Sequence, residues 1–148
     1  MTPLQFLVPL EWLSAVEGVI PWVVLALVVA NMGTRFLAHR QHVRQARDGD
    51  DDELVERYLP HTATTVALLL ASFLFLVVAP HGGMVMSVLV VGMFIADFFE
   101  FEARRVEARN ELDVQQPRAA IAASALVLGY AAFQTLFAFV APFWNAVV

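Results

Sequence analysis

The sequence predicts an all-α membrane protein, a bundle of four transmembrane helices, and three observations support this fold class. The chain of 148 residues is 59% hydrophobic and only 16% charged, too little polar surface to cover a soluble domain of that size. Residues 18–34, 58–96 and 119–148 contain no Asp, Glu, Lys or Arg. Since a span takes about 20 mostly apolar residues, the first and third stretches hold one span each. The second is twice as long and is interrupted by Pro-His-Gly-Gly at residues 80–83, which predicts two spans joined by a tight hairpin.

The elements follow one another as a single transmembrane domain over residues 1–148. Residues 3–17 are apolar but interrupted by Pro9, which predicts a short helix at the membrane interface with the proline in its first turn. Other prolines fall near the span edges, where the backbone can bond to water. The predicted spans are roughly residues 19–38, 61–79, 84–101 and 118–142, and the loops on one side are residues 39–60 and 102–117.

Two of the spans are expected to extend into the cytoplasm as helices. Span one continues as a polar helix to about Asp48, and span three continues as a charged helix through residues 102–112. Glu100 and Arg104 are four residues apart there, a spacing typical of helical ion pairs. The acidic run 50–59 predicts a short surface helix with carboxylates in its first turn, where they favour the helix dipole.

The arginine distribution predicts the orientation of the chain. All nine basic residues are arginine, and they lie near or within the two loops that follow span one and span three. Loops rich in arginine or lysine face the cytoplasm, so we expect a cell-membrane protein with both termini outside. Trp12, Trp22 and Trp144 fall at the predicted outer boundary, where tryptophan is enriched.

The balance of acidic and basic residues indicates which solvent conditions and which partners suit the protein. The formal net charge is −5, and six of the fourteen acidic residues lie in Asp48–Glu56. An acidic chain without lysine suits a cytoplasm at very high salt, where a Debye length of about 3 Å weakens charge repulsion. No nucleic acid is expected as a partner, because the arginine run 35–47 adjoins this acidic segment. We expect that run to pair with the acidic side chains of the span-three extension rather than with anionic lipid; these are Glu100, Glu102, Glu107 and Glu111.

Ionisable residues near the inner boundary form the candidate functional site. Asp97 lies roughly 20 Å along span three, and an ionisable residue within a span is a functional hypothesis by default. Arg35 lies at a similar depth in span one, so the favoured interpretation is an ion pair that locks the two spans together. A proton or ion relay and a small-ligand site stay open. The candidate polar cluster is Arg35, His39, His61, Asp97 and Glu100.

No metal, cofactor or enzymatic activity is predicted. His39 and His42 share a helix face, and with His61 and a carboxylate they offer metal-binding chemistry. However, the sequence has no recognised metal spacing such as HExxH, no phosphate-binding loop and no nucleophile elbow.

Small residues recur four apart, as in membrane helices that approach closely. These pairs are Ala26 and Ala30, Gly92 and Ala96, Ala120 and Ser124, and Ala125 and Gly129.

Four segments carry a resemblance to a known family. They are PLQFLVPLEWL at the start, NMGTRFLAHR at the end of span one, DFFEFEARRVEAR at the end of span three and PRAAIAASALVLGYAAFQTLF in span four. Together they resemble a family of small, uncharacterised haloarchaeal integral membrane proteins. That family has no assigned activity, so the resemblance implies a lineage and a membrane location and transfers no functional residues.

Three functions stay open at this point. The first is a non-enzymatic accessory or scaffold subunit, with the lipid bilayer and either another membrane protein or further copies of itself as partners. The second is a small oligomeric transporter or channel that uses Asp97, Glu100 and Arg35. The third is a redox or quinone-associated membrane anchor that uses His39 or His61.

Overall fold

A computed structural model describes residues 10–48 and 56–147 of the chain. Within these two ranges no strand occurs, and all regular structure is helical. The helices are α1 (Leu10–Glu17), α2 (Ile20–Asp48), α3 (Leu59–Val78), α4 (Pro80–Arg109) and α5 (Arg118–Val147). By length and composition α2, α3, α4 and α5 can each cross a membrane. The prediction of an all-α protein with four such helices is therefore confirmed.

The four long helices alternate in direction. The middle of α2 lies beside the start of α3, where Asn31 Nδ2 donates to Thr65 Oγ1 over 2.9 Å. The second half of α4 and the start of α5 arrive at the same level, because Arg35 contacts both Asp97 and Ser124. We call the end at which α3 and α5 begin the arginine end. The end at which α3 and α4 meet is the hairpin end.

Apolar side chains from all four long helices form the core. Large apolar side chains also cover the outside, and Phe133, Phe137 and Trp144 are each more than half exposed. An apolar surface of this extent is unusual for a protein in water and suits one whose solvent is lipid. Fully buried core residues include Val24, Val28, Leu68, Met86, Val90, Met93 and Val127.

The hairpin between α3 and α4 is tighter than the predicted loop over residues 80–83. Only Ala79 separates the two helices, and Pro80 opens α4, where its missing N–H costs no hydrogen bond. Gly83 lies where α4 passes closest to α3, and a Cβ atom at this position would overlap the backbone of Leu76. Residues 80–83 therefore belong to the first turn of α4, and glycine permits the close contact.

Several helix ends differ from the predicted boundaries. α5 continues through Pro142 to Val147, because a proline this close to the end removes a single backbone hydrogen bond. α3 begins two residues before the predicted start at 61. α2 reaches Asp48, whereas α4 ends at Arg109, three residues before the predicted limit at 112, and Glu111 just beyond it has a left-handed backbone conformation. That they extend into the cytoplasm stays a prediction.

Two predicted elements lie partly outside the described residues. The interfacial segment 3–17 corresponds to α1 from Leu10 onward, whereas residues 3–9 are not described. Of the predicted surface helix over residues 50–59, residues 50–55 are not described. Residues 56–58 have no regular structure, and they lead directly into α3.

Candidate functional site

Arg35 and Asp97 form a buried ion pair between α2 and α4. Arg35 Nε donates to Asp97 Oδ1 over 3.0 Å, and Arg35 Nη2 donates to Asp97 Oδ2 over 2.6 Å. Only 4% of the Arg35 side chain and 16% of the Asp97 side chain are exposed. Two parallel hydrogen bonds of this kind fix the planar guanidinium against the carboxylate. The pair therefore joins α2 directly to α4.

The remaining donors of Arg35 bind polar atoms on two helices. Arg35 Nη2 also donates to Asn31 Oδ1 one turn earlier in α2, over 3.0 Å. Arg35 Nη1 donates to the hydroxyl oxygen of Ser124 in α5, and Ser124 Oγ in turn donates to the Ala120 carbonyl oxygen. Removing a charge from water is costly, and the cost is offset only when a counter-charge and hydrogen bonds satisfy the group. All three guanidinium nitrogens of Arg35 have a partner here.

His61 brings α3 into the same network. A carboxylate can only accept, so His61 Nε2 donates to Asp97 Oδ2, with 3.3 Å between the atoms. His61 Nδ1 lies 2.9 Å from Thr34 Oγ1 in α2. Thr34 Oγ1 also lies 2.9 Å from Thr64 Oγ1. Hydrogen bonds thus connect Thr34, His61, Asp97 and Arg35 in one chain across α2, α3 and α4.

Asn31 ties α2 to the first turns of α3. Its side-chain nitrogen donates to Thr64 Oγ1 over 3.0 Å and to Thr65 Oγ1 over 2.9 Å, and its oxygen accepts from Arg35. Both threonine hydroxyls also bond back to the His61 carbonyl oxygen. We call this set the Arg35 network; its members are Asn31, Thr34, Arg35, His61, Thr64, Thr65, Asp97 and Ser124.

A second buried contact lies seven residues beyond the ion pair in both helices. Arg104 Nη1 donates to His42 Nδ1 over 2.9 Å. Because His42 Nδ1 accepts from the guanidinium, Nε2 of the same ring carries the proton and donates to the Glu56 carbonyl oxygen over 2.8 Å. His42 is 3% exposed and Arg104 is 7% exposed. The contact joins α2, α4 and the segment that precedes α3.

Two of the predicted cluster residues lie outside the Arg35 network. Glu100 Oε1 accepts from the backbone N–H groups of Ala119 (2.9 Å) and Ala120 (3.2 Å) in the first turn of α5. A carboxylate at a helix N-terminus satisfies free N–H groups and favours the helix dipole. Glu100 therefore caps α5, and no ion pair with Arg104 forms within the described part of the chain.

His39 is the other residue that lies apart. It is one turn beyond Arg35 in α2, and it lines a cleft between α2 and α5 together with Gln116 and Pro117. His39 Nδ1 is buried and has no hydrogen-bond partner among the described residues. The structure thus groups Arg35, His61 and Asp97 and places Glu100 and His39 on the side of α5.

A small cavity opens beside the ion pair between α3 and α4. It has a volume of about 80 Å³ and is lined by Asp97, His61, Thr62, Tyr58 and Arg104, among others. Polar groups thus continue from the network toward the segment before α3. A space of this size holds water or a small ion.

The sequence offers only indirect signals for Ser124, His42 and Arg104. Ser124 stands out only as the second member of a small-residue pair with Ala120. His42 and Arg104 follow Arg35 and Asp97 by seven residues, which places them two turns further along the same helix faces. That shared spacing could have indicated the second contact.

The chemistry of the cluster is that of a charge-neutral hydrogen-bond network rather than a metal centre. In residues 10–48 and 56–147, no three His, Asp or Glu side chains converge in a way that could hold a metal ion. Arg35 and Asp97 neutralise each other, while His61 and Thr34 offer exchangeable protons. The arrangement can bridge helices, and its histidine and carboxylate can also pass a proton.

Comparison with known proteins gives a family and no activity. No curated protein and no solved structure matches the chain. Residues 2–148 match a family described as a domain of unknown function, DUF7313. The match covers nearly the whole chain, and the haloarchaeal lineage implied by the resemblance stays a prediction. The chain therefore belongs to the DUF7313 family.

Proposed function

We propose that the protein is a non-enzymatic accessory or scaffold subunit of a membrane complex. The observation that carries this proposal is the outward placement of small residues. Ala125 and Gly129 lie on an exposed face of α5, and a Cβ atom at Gly129 would meet nothing within 4 Å. In lipid, such faces allow another helix to approach closely where no hydrophobic drive exists.

Similar outward faces lie on α2 and α4. Ala26 and Ala30 are exposed on α2, and Gly92 is exposed on α4 with nothing within 4 Å of a Cβ atom there. Ala120 and Ser124, by contrast, are fully buried and serve the packing of the bundle itself. Small residues beyond those needed inside the bundle favour contact with a second membrane protein.

The closed character of the Arg35 network supports the same proposal. Arg35 and Asp97 neutralise each other, and the Asn31 amide and the Ser124 hydroxyl also bond across helices. A network of this kind holds the relative positions of four helices, which is what a scaffold requires. The placement in the cell membrane, with both termini outside, is part of the proposal and rests on the arginine distribution.

The first experiment is native purification of the protein with a tag at its C-terminus. The cells are extracted in mild detergent at high salt, and the proteins that come along are identified and quantified by mass spectrometry. We expect a different membrane protein in fixed stoichiometry. We expect Gly129→Leu to remove it, because the larger side chain separates the helices.

A matched variant separates docking from folding. Ala103→Leu likewise enlarges a small side chain on an exposed face, here of α4. Its neighbours one turn away include the exposed Phe99 and Val106, so this face lacks a small-residue pair. Recovery of only the protein itself, or equal loss with both variants, would contradict the accessory role.

The second candidate is a small oligomeric transporter or channel, and the cavity beside Asp97 favours it. Asp97 and His61 both line this cavity, so a protonatable pair lies next to a space that holds water. Ion or proton flux through the protein in proteoliposomes tests the candidate. If Asp97→Asn leaves the flux unchanged, this candidate fails.

A further inference from the structure

A cleft between α2 and α5 opens beside the Arg35 network on the side away from α3. It has a volume of about 230 Å³. Met32, Phe36 and Ile121 give it an apolar wall, and His39 and Gln116 lie on the polar side. Phe36 is 61% exposed, so the cleft faces the surroundings of the bundle rather than its core. In a membrane, the part of the cleft nearer the bilayer core is surrounded by lipid tails, and the part nearer the membrane surface is surrounded by headgroups.

A basic groove continues from this cleft along α2. It has a volume of about 440 Å³ and is lined by His39, Arg40, Val43, Arg44 and Arg47. The three arginines follow one another at spacings of four and three residues, so they lie on one face of the helix. No carboxylate lines the cleft or the groove within the described residues. His39 belongs to both, which makes them one continuous surface.

Three of the four acidic side chains expected to neutralise these arginines have other partners. Glu100 accepts from the first turn of α5, and Glu102 forms a 3.6 Å ion pair with Arg105 of its own helix. Glu107 Oε2 accepts from the backbone N–H of Gln115 over 3.1 Å. The expected pairing of the arginine run with the α4 extension is thus not seen among the described residues.

We propose that the cleft and the groove together bind an anionic phospholipid, a lipid whose headgroup phosphate carries negative charge. The phosphate lies in the groove against Arg40, Arg44 and Arg47, and the first part of an acyl chain lies against Met32, Phe36 and Ile121. A basic groove at the headgroup level beside an apolar cleft matches the chemistry of such a lipid. The inference goes beyond the accessory role and does not depend on it.

His39 lies at the junction of the apolar cleft and the basic groove. The residue is partly exposed, and an imidazole N–H can donate a hydrogen bond to a lipid oxygen. The glycerol-linkage or phosphate oxygens of a lipid lie at this level when its tail follows the cleft.

The test is a lipid titration of the delipidated protein in mild detergent, read by native mass spectrometry. We expect one molecule of phosphatidylglycerol to bind at least tenfold more tightly than phosphatidylcholine. We expect Arg40→Gln/Arg44→Gln to lower the affinity for phosphatidylglycerol about tenfold or more, because each arginine near a membrane surface contributes attraction to anionic lipid. Both side chains are exposed, so the fold does not depend on them.

The control variant Arg105→Gln/Arg109→Gln removes the same charge from α4 at the same end of the bundle, outside the groove. It should bind phosphatidylglycerol like the unmodified protein. Equal affinity for the two lipids, or an equal loss with both double variants, would overturn the proposal. Glycerol phosphate is added as a soluble competitor, and displacement of the lipid at equal concentration would show a site for free phosphate instead of a lipid site.

Discussion

At the scale of single residues, Arg35 is the centre of the structure. Its guanidinium forms hydrogen bonds with Asn31 in its own helix, Asp97 in α4 and Ser124 in α5. Asp97 in turn accepts a hydrogen bond from His61 in α3. A buried guanidinium is costly when it loses a partner, because the charge then remains in a medium of low dielectric constant. Removing a side chain that bonds to Arg35 is therefore expected to lower the stability by more than the loss of that side chain's own packing.

The first residue-scale prediction concerns Asp97→Asn, which keeps the shape of the side chain and removes its charge. We expect it to lower the free energy of unfolding by about 3–5 kcal/mol, because Arg35 stays buried without a counter-charge. Unfolding by sodium dodecyl sulfate in mixed micelles, followed by tryptophan fluorescence, measures the change.

The control for that prediction is Glu102→Gln. Glu102 pairs with Arg105 over 3.6 Å, and both side chains are more than a third exposed. Exposed pairs contribute about 0–1 kcal/mol, so this variant should unfold almost like the unmodified protein. An equal loss of unfolding free energy in the two variants would mean that the buried ion pair contributes no more to stability than the exposed one.

At the scale of elements, the hairpin end shows how two glycines and a proline shape the connection of α3 and α4. Pro80 starts α4 directly after Ala79, and Gly83 lets the first turn of α4 lie against the end of α3. Gly82 faces the side chain of Gln134 in α5, whose amide nitrogen donates to Tyr130 Oη over 3.0 Å. The start of α4 is thus enclosed on two sides.

The prediction at this scale is that Gly83→Ala destabilises the protein strongly. Even a methyl group at this position would overlap the backbone of Leu76, which cannot rotate away as a side chain can. We expect a lower midpoint of thermal unfolding and poor recovery after detergent extraction.

Gly92→Ala is the matched control in the same helix, since a Cβ atom there meets nothing within 4 Å. It should be neutral or slightly stabilising, by up to about 1 kcal/mol, because alanine loses less backbone entropy than glycine in a helix. If Gly83→Ala is as well tolerated as Gly92→Ala, the close contact at the hairpin is not needed.

At the scale of the whole molecule, the two ends of the bundle differ in arginine content. Every arginine lies toward the arginine end, and α3 and α4 meet at the other end around His81. An arginine bias of this kind sets the orientation of a membrane protein, with the arginine-rich end retained in the cytoplasm. The basic groove proposed for anionic lipid lies at the same end.

The orientation can be tested directly because the chain has no cysteine. His81→Cys places a single thiol in the exposed hairpin, and Asp113→Cys places one in the exposed connection between α4 and α5. In intact cells, a membrane-impermeant maleimide should label His81→Cys alone, and both variants should react after the cells are lysed. Labelling of Asp113→Cys in intact cells would reverse the proposed orientation.

The amino-acid sequence alone was enough to predict the number and approximate limits of the four helices that are long and apolar enough to cross a membrane. Hydropathy and charge are local properties, so stretches of apolar residues and the prolines near their edges locate the helices without knowledge of their neighbours. The similar depth of Arg35 and Asp97 followed from counting residues along the helices. The hairpin between α3 and α4 is tighter than the loop predicted over residues 80–83, because the close contact at Gly83 depends on the path of α3.

Which face of each helix points inward became known only from the packing of the helices. Glu100 is three residues beyond Asp97, yet it faces α5 and caps that helix, whereas Ser124, which sequence reasoning valued only for its size, bonds to Arg35. His39 likewise lies in the cleft beside α5 instead of in the Arg35 network. The physical reason is the solvent: apolar side chains are as favourable against lipid as in the core, so the rotation of a membrane helix leaves little periodic signal in its sequence. Polar contacts between helices fix that rotation, and they exist only once the helices have packed.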